Sequence, residues 1–556
     1  MCGIWAYIKL NQHNIDVKNL FQDFWNIKMR GPDNSYFENY KNVWIGFHRL
    51  AIMDTSFASN QPFVFQEKEK TIVFICNGEI YNFRELIEKY KLPIITDSDC
   101  MTIPELYRKY SNNLEDFYKL FQSEIKGEFA FILFEFDRLK NLSLVIAGRD
   151  QIGIRPLYYH DVNKQLNSMI FCSEIKGTNS FEGEIKEFPP GNLIKFTFDN
   201  FGNYKEKETI NFTTVYNHIY NMDLNQNEYL LKIKDAVINS VKRRLDADRP
   251  LAFLLSGGVD SSLVAGISSK LLGYPIRTFC CGMNEGTDLI YARKVAKYIG
   301  SHHTEVFFTP EEGLEAIRDV IWTTETWDTT TIRASVGQYI VSKYIGNNTD
   351  AKVVLVGEGP DEICSSYLFN WYAPQDNHSI HDAALNYVKN IHYYDSRRGD
   401  RCISRWGLEG RVPLLDPEFI TAYWEIPSYQ RHPKYKGVEK WWLRKAFENS
   451  NVIPDEVLWR KKEAFSDGVS GKEKSWFQII QDYVEDKVTD KELNNNKFTY
   501  CTPKTKEAYY YRKIFCELFG EHRQTILPNY WQPKWSANGT EVTDYVDPSA
   551  RTLNVY

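Results

Sequence analysis

One change of pattern near residue 226 constrains this chain more than any other feature. Before it, short apolar runs at 3–10, 43–54, 71–80, 128–137, 142–148, 169–173 and 192–198 alternate with turn signals and leave room for few long helices. Such runs bury best as strands, largely antiparallel, in a sandwich of sheets with helices outside, an αββα arrangement. After it, a helix from 226 carries Leu230, Ile233, Val237, Val241 and Leu245 on one stripe. Strands at 251–255, 276–281, 305–308 and 352–356 then alternate with helices at 261–272, 288–299 and about 310–323, the last behind a capping box of Thr309 and Glu312. Repeated βαβ units predict a doubly wound parallel sheet with helices on both faces and its ligand at the strand C-terminal ends. The chain thus reads as α/β in two domains, 2–198 and 226–535, with a polar linker at 199–225 and a tail at 536–556.

Composition narrows the partners. A chain of 556 residues is too long for one core. A net charge of −6 gives no electrostatic case for nucleic acid or an anionic membrane, so small soluble substrates are the expected partners. No apolar run reaches the ~18 residues of a membrane span, and the first five residues lack the basic start of a signal peptide, which predicts a cytoplasmic protein. The ten cysteines contain no C-x-x-C pair and read as reduced and mostly buried.

Two stretches of the second domain carry phosphate chemistry. Leu255-Ser256-Gly257-Gly258-Val259-Asp260-Ser261-Ser262 reads strand, tight turn, helix. Its glycines let backbone N–H groups approach an anion, its serines add donors, and the helix start adds a positive dipole end. The Walker spacing is absent, and Asp260 suits a metal-bound polyphosphate. A second turn, Gly357-Glu358-Gly359-Pro360-Asp361-Glu362, follows the strand at 352–356. Two carboxylate-bearing turns on one crevice are what a Mg²⁺-nucleotide needs. In the first domain, Cys2 alone is best read as a small apolar residue opening a strand. With Met1 removed, its thiol and a free α-amine would supply nucleophile and base from one residue.

The surroundings of Cys2 favour the second reading. Cys2-Gly3-Ile4, Arg30-Gly31-Pro32-Asp33, His48-Arg49-Leu50, Asn77-Gly78-Glu79-Ile80-Tyr81-Asn82 and Ser98-Asp99 occur in the order found in the class II glutamine amidotransferases, the N-terminal-nucleophile glutaminases, which this part closely resembles. The resemblance implies that the Asn77 side chain and Gly78 N–H donate to the oxyanion, that Arg49 grips the glutamine α-carboxylate, and that Glu79 and Asp99 hold its ammonium. The second domain resembles the N-type ATP pyrophosphatase synthetases. Within them it looks like the glutamine-hydrolysing asparagine synthetase family, on Thr330-Thr331-Ile332-Arg333-Ala334-Ser335, Arg411-Val412-Pro413-Leu414-Leu415-Asp416, the string 459–468 and the tail 502–507 and 547–553. That resemblance implies asparagine made from aspartate, ATP and glutamine through β-aspartyl-AMP, with Mg²⁺ held by Asp260 and Asp361 and no prosthetic group. Leu255, Ser256, Gly257, Gly258, Asp260, Ser261, Ser262, Cys281 and Gly357 would hold ATP and pyrophosphate. Thr330, Thr331 and Arg333 would face aspartate, Lys462 would add a fixed positive charge, and Glu358 would take the proton from the attacking nitrogen. A homodimer is expected by analogy alone. The stretch departs from the family pattern at Pro360, Ser366 and Gly410. A glutamine-independent amide former would not need Cys2, Arg49, Asn77 and Asp99, a stand-alone glutaminase would not need the cradle and Lys462, and a non-catalytic binding subunit would not need Glu358.

Overall fold

The computed structural model describes residues 1–10, 16–160, 168–217, 220–283, 286–462, 470 and 474–544. Residues 463–469 and 545–553, parts of two strings quoted above, lie outside the described residues. The chain divides into two compact units. The first is Met1–Thr214 together with Asp246–Arg249 and Ser404–Glu409, and the second is the remainder.

The first unit holds two six-stranded sheets whose strand pairs are antiparallel. One contains β1 (Gly3–Lys9), β2 (Asn34–Tyr40), β3 (Val43–Arg49), β8 (Tyr158–Tyr159), β9 (Ser168–Cys172) and β10 (Lys186–Glu187), in the order β10-β8-β9-β1-β3-β2. The other contains β4 (Phe63–Gln66), β5 (Lys70–Ile80), β6 (Gly127–Asp137), β7 (Leu142–Arg149), β11 (Asn192–Phe198) and β12 (Tyr204–Asn211), in the order β12-β11-β7-β6-β5-β4. Period-two alternation explains the layering. Ile4, Ala6 and Ile8 of β1 meet Val73 and Ile75 of β5 and Ile132 and Phe134 of β6 in one buried cluster. The odd residues of β1 point the other way: Trp5 meets Phe24 of helix α1 (Val17–Trp25) edge-on, with ring centroids 6.4 Å apart. On β5, Ile72, Phe74 and Cys76 face helices α2 (Phe83–Tyr90), α3 (Thr102–Tyr110) and α4 (Leu114–Ser123) through Leu86, Leu106, Phe117 and Phe121. This is the expected αββα sandwich, and each buried large apolar side chain contributes about 1.5–3 kcal/mol to it.

The segment expected as a linker needs correction. Residues 204–211 form β12, in antiparallel register with β11 from Asn192↔Asn211 to Phe198↔Tyr204. Its Lys-Glu-Lys-Glu run reads as solvated because it is an edge strand, where charge protects an open row of backbone groups. A cross-strand ion pair, Lys195 to Glu208, fixes it to its neighbour.

His48 on β3 is fully buried, stacked on Phe24 with ring centroids 3.8 Å apart. Its Nε2–H donates to the Phe24 carbonyl at 3.0 Å, and its Nδ1 accepts from the Ser35 hydroxyl at 2.8 Å. Burial pushes the imidazole down to about 4. Below its ordinary value near 6.5 the unfolded chain therefore takes a proton that the folded chain refuses. Stability should fall by about 3 kcal/mol between pH 6.5 and pH 4 and level off below. Urea unfolding followed on the first unit's tryptophans checks this, and His48→Gln should flatten the slope in that window.

The second unit begins with helix α5 (Gln226–Arg244), capped by Asn225 and Glu228. There follow β13 (Leu251–Leu254), α6 (Val259–Leu272), β14 (Arg277–Gly282), α7 (Thr287–Ile299), β15 (His302–Phe307), α8 (Pro310–Thr324), α9 (Thr329–Asn348), β16 (Val353–Leu355) and α10 (Pro360–Ile363). The capping box at Thr309 and Glu312 is present. The strands stand in the order β15-β14-β13-β16, with a last strand, β17 (Glu409–Arg411), beyond β16; β13 pairs in parallel with both β14 and β16. Strand order thus reverses at β13 and β16, so right-handed crossovers run outward on both sides and leave a crevice above the two C-terminal ends. Both glycine-rich turns stand there. No helix among the described residues is long and apolar enough to cross a membrane. All ten cysteines are free, and seven are buried.

Candidate active sites

In the first unit, the start of β1 brings Cys2 beside the end of β3, because Gly3 pairs with His48. The Cys2 sulfur lies 3.5 Å from the Leu50 N–H that points to it. The Arg-Gly-Pro-Asp turn clamps this corner. Arg30 Nε donates to the Cys2 carbonyl at 2.9 Å, and the Asp33 carboxylate accepts from Ala51 N at 2.9 Å. Gly31 is obligatory, since a Cβ there would sit 2.2 Å from the His48 carbonyl oxygen. Burial pushes the Cys2 thiol up to about 11, against the pull of the Met1 ammonium and the Leu50 N–H. The Met1 amine is itself buried, 3.5 Å from Glu409, and burial lowers its affinity for a proton. The thiol therefore needs a base.

Arg49 is buried, and Asp54 O, Ser56 O (2.7 Å) and Asn60 Oδ1 (2.6 Å) hold its guanidinium. Among the described residues its charge meets only neutral acceptors, which leaves an anionic ligand welcome. Asn77, Gly78 and Glu79 lie on β5, in the sheet that faces β1 across the core. Asn77 is fully buried, with neither amide atom hydrogen-bonded. Such a group costs free energy unless a ligand completes it. A Cβ on Gly78 would lie 2.3 Å from the Glu128 carbonyl oxygen, so only glycine lets the strand keep this course. Asp99 accepts from Ile80 N at 2.6 Å and is buried, as is Glu79.

In the second unit, the turns after β13 and β16 line one cavity through Leu255, Ser256, Gly258, Asp260, Ser261, Gly357, Glu358 and Asp361, with Cys281 at the end of β14. Gly257 takes φ +75°, and a Cβ on Gly357 would lie 2.5 Å from Ser261 N, so the two turns touch backbone to backbone. No side chain caps the α6 amides, which are open to an anion. Gly257 and Ser262 stand behind the lining, Ser262 with an unpartnered buried hydroxyl. Lys462 Nζ reaches Asp361 at 2.5 Å. Pro360 opens α10, where its missing N–H costs nothing, and Ser366 donates from its hydroxyl to Asp361.

Glu358 is held on one side only. Its Oε1 pairs with Arg398 at 2.9 Å and accepts from Gln338 Nε2 at 3.0 Å, while its Oε2 is buried without a partner. Burial raises this carboxyl above the usual carboxylate range, with Arg398 opposing. A carboxylate so placed has a free lone pair and a raised appetite for a proton.

The trio at 330–333 is not brought to the cavity. Thr331 N and Oγ1 both donate to Asp328 at 2.8 Å, and Arg333 forks onto buried Glu507 at 2.8 and 2.5 Å. Glu507 thereby takes the Nε/Nη2 edge of the Arg333 guanidinium. The Thr330 hydroxyl is buried and unpartnered. From the same helix, Gln338 and Val341 line the cavity instead.

Sequence reasoning missed Arg398 and Lys440. Lys440 has one usable signal: a lysine just before the helix Trp441–Phe447 opposes the dipole, so it needs another partner.

Two such sites on these two folds define a glutamine amidotransferase unit joined to an ATP-using synthetase unit. Residues 1–223 match the glutamine amidotransferase domain family, and residues 232–376 and 369–544 match the asparagine synthase family. Over 585 aligned residues, spanning 100% of this chain and 99% of theirs, the chain is 38% and 39% identical to the glutamine-hydrolysing asparagine synthetases of Gallus gallus and Mus musculus. The corresponding Homo sapiens enzyme is 38% identical over 583 residues, with the same coverage. The chain belongs to the glutamine-hydrolysing asparagine synthetase family.

Proposed function

We propose that the chain makes L-asparagine from L-aspartate and ATP with nitrogen taken from glutamine. The observation that carries the reading is Glu358, fixed through one oxygen and open at the other, in the cavity that also holds the phosphate cradle. Removal of Met1 would give Cys2 a free amine that takes the thiol proton, and the sulfur would attack the glutamine amide carbon. Asn77 and the Gly78 N–H would hold the oxyanion, and Arg49, Glu79 and Asp99 the amino-acid end. Ammonia leaves, and water releases glutamate from the thioester.

In the second unit the aspartate side-chain carboxylate attacks the α-phosphorus and pyrophosphate departs, with Lys462 and the α6 amides meeting the charge that develops. Ammonia then attacks the acyl carbon, Glu358 takes a proton from the nitrogen, and AMP leaves. Thr330 would face aspartate from outside the lining of that cavity, its buried hydroxyl having no partner among the described residues. Asp260 and Asp361 fit Mg²⁺. Both carboxylates converge on one cation in this structure, and Asp260 Oδ1 has no partner. No three metal-ligating side chains cluster among the described residues, so nucleotide oxygens would complete the sphere, as Mg²⁺ prefers. The bound ion would neutralise phosphate charge.

A product assay on the full chain tests the reading, with aspartate, Mg²⁺-ATP and glutamine or ammonium. Asparagine, AMP and pyrophosphate should appear in equal amounts with either nitrogen source. AMP without asparagine, or glutamate without AMP, would sink it.

A further inference from the structure

Lys440 lines the synthetase cavity, and the mechanism above leaves it without a task. Its side chain is 2% exposed, and its ammonium lies 2.5 Å from Asp260 and 2.6 Å from Asp361, bridging residues that follow two different strands. Its backbone takes φ 56°, a left-handed conformation that costs a lysine about 1 kcal/mol and that only firm anchoring maintains. Three contacts anchor it: Arg444 N donates to the Lys440 carbonyl at 3.0 Å, and neighbouring Glu439 accepts from both Arg444 Nη2 at 2.7 Å and Lys462 N at 2.9 Å.

Charge counting gives the consequence. Asp260 and Asp361 carry two negative charges, and Lys440 and Lys462 two positive ones, so this partly buried group of four is already neutral. A divalent cation entering alone would add two positive charges within a few ångströms of Lys440, at a cost of several kcal/mol in a partly desolvated site. Arriving with a polyphosphate, it brings the compensating negative charge, and the ammonium gains phosphate oxygens in place of the carboxylates.

Resting on the reading just given, we infer that Lys440 is a positioning residue that stands in for the divalent cation. It keeps the two carboxylates converged before the nucleotide binds and bars free metal, so that metal enters only with the nucleotide.

The test uses Mn²⁺ as a spectroscopic substitute for Mg²⁺, read by electron paramagnetic resonance on the full chain, with and without α,β-methylene-ATP. The native protein should bind Mn²⁺ in the cavity only with the analogue. Lys440→Met should bind Mn²⁺ without nucleotide about tenfold more tightly or better than the native chain, and Asp361→Asn added to it should remove that gain. Lys440→Arg, which keeps the charge, should behave as native. Equal Mn²⁺ affinity in native and Lys440→Met proteins without nucleotide would overturn the proposal. A second measurement needs no lysine variant: MgCl2 alone should leave the thermal midpoint of the native chain unmoved, whereas MgCl2 with the analogue should raise it. A rise with MgCl2 alone, lost in Asp361→Asn, would overturn the proposal as well. Absence of asparagine with this order of binding intact would remove the functional reading and leave the lysine's role standing.

Discussion

Replacement of Cys2 by alanine should cut glutamine-dependent asparagine formation by about a thousandfold or more, while synthesis from ammonium stays within about twofold of native. The asymmetry follows from the placement of the sulfur. It lies beside Leu50 at the head of β1, in a unit with its own core, and none of the described residues lining the cavity of the second unit belongs to it. Replacing the thiol by hydrogen removes the nucleophile and little volume, so the sandwich should keep its unfolding midpoint. Glutamate release and asparagine formation, measured separately with each nitrogen source, check this. Equal loss with both would mean that Cys2 serves the fold rather than the chemistry.

Lys462→Met should have the complementary effect: AMP formation falls about a hundredfold or more with glutamine and with ammonium alike, and glutamate release persists. The lysine gives Asp361 one of its two ammonium partners. Burial alone would raise the Asp361 carboxyl, but Lys440 and Lys462 together hold it well below the usual range. Removing one partner leaves a partly buried carboxylate half compensated and, on the proposed mechanism, takes away the charge that meets the departing pyrophosphate. The loss should fall on kcat more than on the KM for ATP, since the cradle amides and hydroxyls remain; a pure KM effect would assign Lys462 to ground-state binding.

Local patterns made much of this legible in the sequence. The cradle at 255–262, the capping box at Thr309 and the period-two runs of the sandwich depend on neighbours a few residues away, and each is present where expected. Lys440 was not legible, because its meaning comes from Asp260, 180 residues earlier. Arg398 is the same case, pairing with Glu358 forty positions before it only once β16 and the helix Asp395–Ser404 are placed. Arg333 is a further long-range case, since its partner Glu507 stands 174 residues later, beyond the reach of the local string. The strand at 204–211 was hidden for a different reason, since the charge that protects a sheet edge from strangers also disguises it as loop.

The first unit is not one continuous piece of polypeptide. The chain returns to it twice after Thr214, at Asp246–Arg249 and at Ser404–Glu409. The second visit supplies Glu409, the partner of the Met1 amine, and the first supplies Asp248, whose carboxylate accepts from Asp54 N at 2.7 Å. A gene cut after codon 214 would therefore encode an amidotransferase missing two of its own parts. Anyone grafting this half onto another synthetase must transplant three segments together, and recombination between relatives can exchange the halves cleanly only where all three breakpoints coincide.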